Sequence, residues 1–309
     1  MKKLLGSVRV DSSLLPVFGL LGAMLFWGTS FIAMKVALRI FDPLVMVFGR
    51  MGLAALIFLF FHKKLRQFTY RSGDWKYLTL MALCEPCLYF IFESYALTYT
   101  TASQAGMVTA LLPLIVAICA GVLLKEKTNL TTLLGFVIAV GGIVLITSQS
   151  LRSQDAPNPF LGNMLEFLAM CCAAGYTILA RYMGTRYSPF FLTAIQMFLG
   201  TLFFAPVLAF PSTNFPTHWP LIPTLAILYL GTCVSFLAYG FFNYGLSKVP
   251  ASQAAAYVNL IPVISVLSGW LILGESLTLL QIFGMGCVLL GVWMSSSGNR
   301  CRKLQLSSV

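Results

Sequence analysis

Apolar runs of about 20 residues, separated by short polar or basic segments, recur along nearly the whole chain. A helix rises about 1.5 Å per residue, so one such run covers a hydrocarbon core of about 30 Å. The pattern predicts ten membrane helices, over residues 16–37, 44–61, 77–97, 103–124, 131–148, 161–182, 189–210, 221–245, 252–272 and 279–297. The first follows Lys2 and Lys3 as a signal peptide would. Its apolar run is longer than a signal core and lacks a small-residue cleavage site, so it reads as a retained helix.

The pattern also repeats. Ala102-Ser103-Gln104-Ala105 returns as Ala251-Ser252-Gln253-Ala254, and the offset of 149 holds without a gap from Tyr95 to Gly142. It matches Leu97 with Leu246, Pro113 with Pro262, Glu126 with Glu275, Gly135 with Gly284 and Gly142 with Gly291. Fourteen of 48 positions are identical, and shared hydrophobicity does not account for matched glycine, proline and glutamate. Earlier in each half an offset of 146 pairs Lys35 with Arg181, Pro43 with Pro189 and Met51 with Met197, and sets Arg50 opposite Gln196. The chain therefore reads as a duplication, residues 1–150 and 151–309, the second half ending in a short basic tail. Five helices per half is an odd number, so the second half enters the membrane from the opposite side. The predicted fold class is all-α integral membrane, with ten transmembrane helices as two inverted five-helix repeats. Secondary transporters use this plan because two similar halves that exchange conformations turn an outward-open state into an inward-open one. The repeated tetrapeptide reads as a packing and helix-initiation element, with Ser103 and Ser252 able to cap exposed amides. Glu126 and Glu275 read as capping or turn residues, and glycines 135, 141, 142, 284, 286 and 291 as points of close helix packing.

Composition sharpens this reading: 59% of residues are hydrophobic and 9% charged, with a mean hydropathy of +0.87. A soluble chain averages roughly 25% charged residues. The net charge of +11 would suit nucleic acid if it were spread evenly. With the N-terminus inside, however, Lys2, Lys3, Arg9, Lys63, Lys64, Arg66, Arg71, Lys76, Lys125, Lys127, Arg181, Arg186, Lys248, Arg300, Arg302 and Lys303 fall on the cytoplasmic side, and only Arg39 and Arg152 fall clearly opposite. This positive-inside bias excludes nucleic acid as the partner, makes the lipid bilayer one, and predicts a multi-pass protein of the bacterial inner membrane with both termini cytoplasmic. Most of the eight cysteines sit in predicted helices as small apolar residues. Cys84-Glu85-Pro86-Cys87 has CxxC spacing but neither a soluble context nor a second ligand pair, so no metal and no cofactor is expected. The Asn129-Leu130-Thr131 sequon lies in a cytoplasmic loop and reads as a chance match. The two histidines, His62 and His218, lie in loops, and no HExxH, GxSxG or phosphate-binding motif is visible. No catalytic residue and no direct use of ATP is expected.

Ionisable groups inside a membrane helix cost about 2.5–3.5 kcal/mol at its centre and face a cavity or a partner. Here they are Arg50, Glu85, Glu93 and Glu166, with Lys35 near the outer end of the first helix. Helix direction places Lys35, Arg50, Glu93 and Glu166 in the outer third as a cluster of two cations and two anions, with Glu85 nearer the midplane. Arg50 is expected either to pair with Glu93 or Glu166 or to touch substrate or a moving gate. Glu85 has no basic residue at its level. A lone buried carboxyl favours its neutral form, which suits proton coupling or a cationic amine; the alternative is a neutral acid hydrogen-bonded to backbone freed by Pro86. Glu85 and Glu93, eight residues apart, share a helix face, with Tyr89 and Phe92 on or beside it. The second half offers Gln196, Tyr239, Asn243, Tyr244, Tyr257 and Asn259 at corresponding depth, the last two just before Pro262, where the helix loosens. Trp27 is mid-helix and could wall a cavity, whereas Trp270 reads as an interface anchor. The candidate substrate-binding or coupling set is Glu85, Tyr89, Glu93, Arg50, Trp27, Tyr239, Asn243, Tyr257 and Asn259.

Trp27-Gly28, Pro43 with Arg50, and the run from Ala96 through Thr100, Ala102, Pro113 and Glu126 to Gly135 and Gly142, echoed as far as Gly291, resemble the drug/metabolite transporter superfamily of the EamA type. The resemblance covers essentially the whole chain and implies ten helices, cytoplasmic termini and a central cavity. That family handles amino acids, other metabolites, nucleotide sugars and drugs. The expected function is non-ATP secondary transport of a small organic metabolite by alternating access. An amino acid or amine exporter comes first, because a mixed-charge aromatic cavity suits a zwitterion. Transport of nucleotide sugars or drugs, a membrane-embedded enzyme and a non-transporting membrane protein are the alternatives. Proton coupling, transport direction and oligomeric state stay open at this point.

Overall fold

The computed structural model describes residues 14–65, 70–124, 130–148, 153–211, 213–249 and 251–307, and these residues contain helices and connecting turns but no strand. The long helical stretches are α1 (Leu15–Ala37), α2 (Pro43–Phe60), α3 (Trp75–Tyr99), α4 (102–124), α5 (Leu130–Ser148), α6 (Pro159–Met183), α7 (Pro189–Ala209), α8 (Leu221–Lys248), α9 (251–273) and α10 (Leu279–Ser307). Each predicted apolar run falls on one of them, the largest difference being α10, which continues to Ser307. Among the described residues eight helices are long and apolar enough to cross a membrane, while Leu134–Ser148 and Leu279–Gly291 are shorter apolar stretches. At 23 residues, α1 is about 34 Å long, enough for the hydrocarbon core. Leu56, Leu202, Leu228, Leu271 and Phe283 are exposed, whereas Arg50, Glu93, Glu166 and Gln196 are buried. Apolar outside and polar inside is the arrangement a hydrocarbon solvent selects, and the chain is an integral, multi-pass membrane protein.

Local sequence explains the helix starts. Asp42 and Ser188 are N-caps that accept hydrogen bonds from the Leu44 and Phe191 amides, and each precedes a proline at the first helical position. Proline there loses no helical hydrogen bond and its fixed φ suits the helix. The helices also break at repeat-matched places. α3 widens at Leu83–Leu88, where Glu85 adopts an extended φ of −151° beside Pro86, and α8 widens at Leu230–Ala238. α4 tightens at Thr109–Leu111 before Pro113, and α9 is interrupted between Tyr257 and Leu260 before Pro262.

The N-terminus of α4 differs from expectation. Ser103 caps nothing: its Oγ is buried without a partner. Thr101 caps instead, accepting from the Gln104 amide, and Glu275 accepts from the Ala102 and Ser103 amides, both at 2.9 Å. An anionic side chain across the helix mouth satisfies orphan donors and opposes the positive end of the helix dipole. The packing expectation holds for four glycines and fails for two. A Cβ on Gly142 would lie 2.5 Å from the Gly284 carbonyl oxygen, and one on Gly291 would strike the Gly135 carbonyl, so α5 and α10 cross with backbones touching. Gly141 and Gly286 face open space. Glu126, the Asn129 sequon, Arg152, and the basic residues Lys2, Lys3, Arg9, Arg66, Lys125 and Lys127 lie outside the described residues, as does the side chain of Ser252.

Candidate functional site

Helices from both halves line a central cavity of about 40 Å³. α1 contributes Trp27, Ser30 and Phe31; α2 contributes Arg50; α3 contributes Glu85, Tyr89, Phe90 and Glu93. α6 contributes Met170, Ala173, Tyr176 and Thr177, and α8 contributes Val234, Tyr239 and Phe242. Of the nine candidates, Trp27, Arg50, Glu85, Tyr89, Glu93 and Tyr239 line this space. The three others do not. Asn243 lies behind the wall, and Tyr257 and Asn259 are passed over because the interruption in α9 turns Val258 and Ile261 toward the cavity instead. Phe90, not Phe92, takes the aromatic position on α3.

The predicted ion pair is absent: among the described residues no carboxylate lies within 4.0 Å of Arg50, and the one ion pair found there joins Arg186 to Asp74 at 2.5 Å. Arg50 is 1% exposed. Its Nε donates to Ser235 Oγ at 3.0 Å, one terminal nitrogen sits 3.5 Å from Met34 Sδ, and the guanidinium lies over the Phe90 ring at 4.2 Å. A planar cation stacks on an aromatic face and still donates in its plane, which lysine could not do. Lys35 also leaves the predicted charge cluster. Its ammonium donates to the Leu97 and Thr100 carbonyls, both at 2.7 Å, and to the Asp155 carbonyl, so it closes the C-terminus of α3.

Glu85 accepts a hydrogen bond from the Tyr239 hydroxyl, in place of the expected bond to a backbone carbonyl freed by Pro86. Its own carbonyl accepts from Gln196 Nε2 at 3.0 Å. Gln196, the repeat mate of Arg50, then accepts from Asn243 at 3.2 Å; Asn243 also donates to Thr193 and accepts from Tyr176 at 2.8 Å. Asn243 thus orients a cavity residue without lining the space. Glu93 accepts from Tyr89 at 2.7 Å through Oε1, while Oε2 is buried without a partner. The indole N–H of Trp27 is likewise unpartnered, its ring packed against Tyr239 and Phe242 at 5.2 and 4.8 Å. Buried polar atoms are nearly always hydrogen-bonded, so an unpartnered donor and acceptor on one cavity wall mark positions for a ligand. Sequence reasoning missed Tyr176, Thr177 and Ser30; an in-span tyrosine on α6 was the available signal.

A second, larger cavity of about 200 Å³ lies where Lys35, Arg39, Thr101, Gln104, Asp155 and Glu275 meet, on the face predicted to be external. Behind Gln104 of this second cavity, Thr100 bonds Gln104 and Asn163, and Asn163 bonds Thr147 at 2.9 Å.

Residues 14–148 and 160–297 each match the model of the EamA-like transporter family. The uncharacterized transporter YetK of Bacillus subtilis is 30% identical over 67% of this chain and 64% of its own length. An uncharacterized transporter of Archaeoglobus fulgidus is 28% identical over 87% of this chain and 94% of its own. A WAT1-related chloroplastic protein of Arabidopsis thaliana is 26% identical over 89% of this chain and 68% of its own. A protein crystal structure 17% identical in sequence superposes with a TM-score of 0.64 over 92% of this chain and 97% of that one, which establishes a shared fold.

Proposed function

Because the chain belongs to the EamA-like transporter family, we propose that it is a secondary transporter of a small organic metabolite, an amino acid or amine exporter first, working by alternating access of two inverted five-helix repeats. Residues 1–150 and 151–309 form the repeats, and ten spanning helices leave both termini in the cytoplasm of a bacterial inner membrane. Helix pairing supports the inversion. α1 packs on α8 as α6 packs on α3, α2 on α8 as α7 on α3, and α1 on α9 as α6 on α4. These contacts interchange under one two-fold operation, as do the Gly142–Gly284 and Gly135–Gly291 approaches.

One observation carries the functional reading: the central cavity is built from both halves and combines a guanidinium, two carboxyl groups and an aromatic wall with unpartnered polar atoms at Trp27 and Glu93. A zwitterion fits this chemistry, its carboxylate toward Arg50 and its ammonium toward Glu93, with Trp27, Phe90 and Tyr239 around its apolar part. A ligand site for an organic molecule typically spans about 300–1,000 Å³, so a cavity of about 40 Å³ holds a few waters and represents a closed state. Binding then requires the halves to part on one side. No motif for ATP use accompanies this, and Glu85 and Glu93 are the candidates for proton coupling.

The test is uptake and efflux in proteoliposomes against amino acids, amines, nucleotide sugars and drugs, with and without a pH gradient. Saturable movement of an amino acid or amine supports the first reading. Movement confined to nucleotide sugars or drugs supports the alternative substrate class, and no movement of any compound sinks transport and favours a non-transporting membrane protein or a membrane-embedded enzyme.

A further inference from the structure

Glu166 on α6 carries the least satisfied polar group in the described core. Its side chain is fully buried, and neither carboxyl oxygen has a hydrogen-bond partner. α6 packs antiparallel along α3, Gly162 against Ala96 and Thr100 and Gly175 against Cys84, which sets Glu166 level with Glu93, whose Oε2 is also buried and unpartnered. Glu93 lines the central cavity and Glu166 does not. The pair therefore reaches from the cavity wall into the interface of α3 and α6.

The surroundings limit its charge. Tyr89 on α3 donates to Glu93 and feels the charge of both carboxyls; Arg50 on α2 acts on Glu93 but directs its hydrogen bond to Ser235; Glu85 and Tyr239 lie further along the wall, bonded to each other. Lys35 is committed to backbone carbonyls. One guanidinium offsets one carboxylate. Two ionised carboxylates at one level of this interface, with no donor for three of their oxygens, would repel each other and lose hydration that nothing replaces. A proton on one makes it a donor to the other, which engages two of those three oxygens and removes one of the two charges. Carboxyls that interact by more than about 1 pK unit bind protons as a unit.

We propose that Glu93 and Glu166 form one proton-binding site that holds a single shared proton in the closed state and releases it through Glu93 when a cationic group enters the central cavity. The charges balance in both states. With the proton, the pair carries one negative charge against Arg50; without it, the second negative charge meets the incoming cation, and the proton leaves by the opened cavity. The release step rests on the transporter reading, while the shared proton does not.

The test uses the full-length purified protein. Infrared titration of carboxyl C=O absorption is expected to show a protonated carboxyl at neutral pH that Glu93→Gln and Glu166→Gln both remove or shift, each variant moving the other's titration by about 1 pH unit or more. Glu166→Asp, which keeps the acid, retains the shared signal and serves where the amide variants do not fold. Two carboxyls ionised at neutral pH, or titrating independently, overturn the shared site. Methylammonium added to weakly buffered wild-type protein is expected to release about one proton per chain, detected with an indicator dye. No release overturns the coupling step, and equal release by sodium overturns it by making the pair a metal-cation site. Transport without a shared proton retires only the pair, and a shared proton without transport retires only the transporter reading.

Discussion

At the scale of single residues, an ionisable side chain inside an apolar run was the most legible signal, and Arg50, Glu85, Tyr89 and Glu93 all reached the cavity. Their partners were not legible. Depth along a helix suggested an Arg50 ion pair, but side-chain direction aimed the guanidinium at Ser235 and Phe90, and Tyr239 took the place of the partner Glu85 lacked. Tyr257 and Asn259 missed the cavity because facing depends on where a helix breaks, and the interruption of α9 rotates its wall by residues that sequence spacing treats as continuous, while Asn243 on α8 turns to Tyr176, Thr193 and Gln196 behind the wall. Arg50→Lys tests the geometry at constant charge. An ammonium cannot both cover the Phe90 ring and donate in plane to Ser235. The expected result is a KM raised about tenfold, equivalent to about 1.4 kcal/mol, for whichever substrate the liposome panel identifies. Unchanged KM would remove Arg50 from the binding site.

At the scale of helices, boundaries and breaks were largely readable because prolines and capping residues act locally: Asp42-Pro43 and Ser188-Pro189 start helices, and Pro86, Pro113 and Pro262 mark where they loosen. Which glycine faces a neighbour was only partly readable. Gly141 and Gly142 are adjacent, yet about 100° of helical rotation separates contact with Gly284 from open space. Gly142→Leu is therefore expected to destabilise the protein by about 1–3 kcal/mol through forced separation of α5 and α10. Gly141→Leu should stay within about 0.5 kcal/mol, as an uncrowded surface change does. Thermal unfolding of both variants in the same detergent checks the contrast, and equal destabilisation would contradict the crossing.

At the scale of the whole molecule, the repeat offset pairs Lys35 with Arg181 and Leu97 with Leu246, and the structure gives those pairs the same contact twice. Lys35 donates to the Leu97 carbonyl and Arg181 to the Leu246 carbonyl at 2.5 Å, so each half ties the end of its first helix to the end of its third. Sequence supplied the correspondence but not the contact, which spans more than 60 residues in each half. Under the proposed inversion the two ties lie on opposite sides of the membrane, and both are made here, in keeping with the small central cavity. If the proposed alternating access operates, their loss is asymmetric. Lys35→Met should favour opening toward the exterior and Arg181→Met toward the cytoplasm. A Ser30→Cys reporter on the cavity wall would then react with an impermeant maleimide added outside in the first variant and inside in the second, after subtraction of labelling in matched proteins retaining Ser30. Exposure to the same side in both variants would contradict inverted gating, because two equivalent ties related by a two-fold axis in the membrane plane cannot guard one entrance.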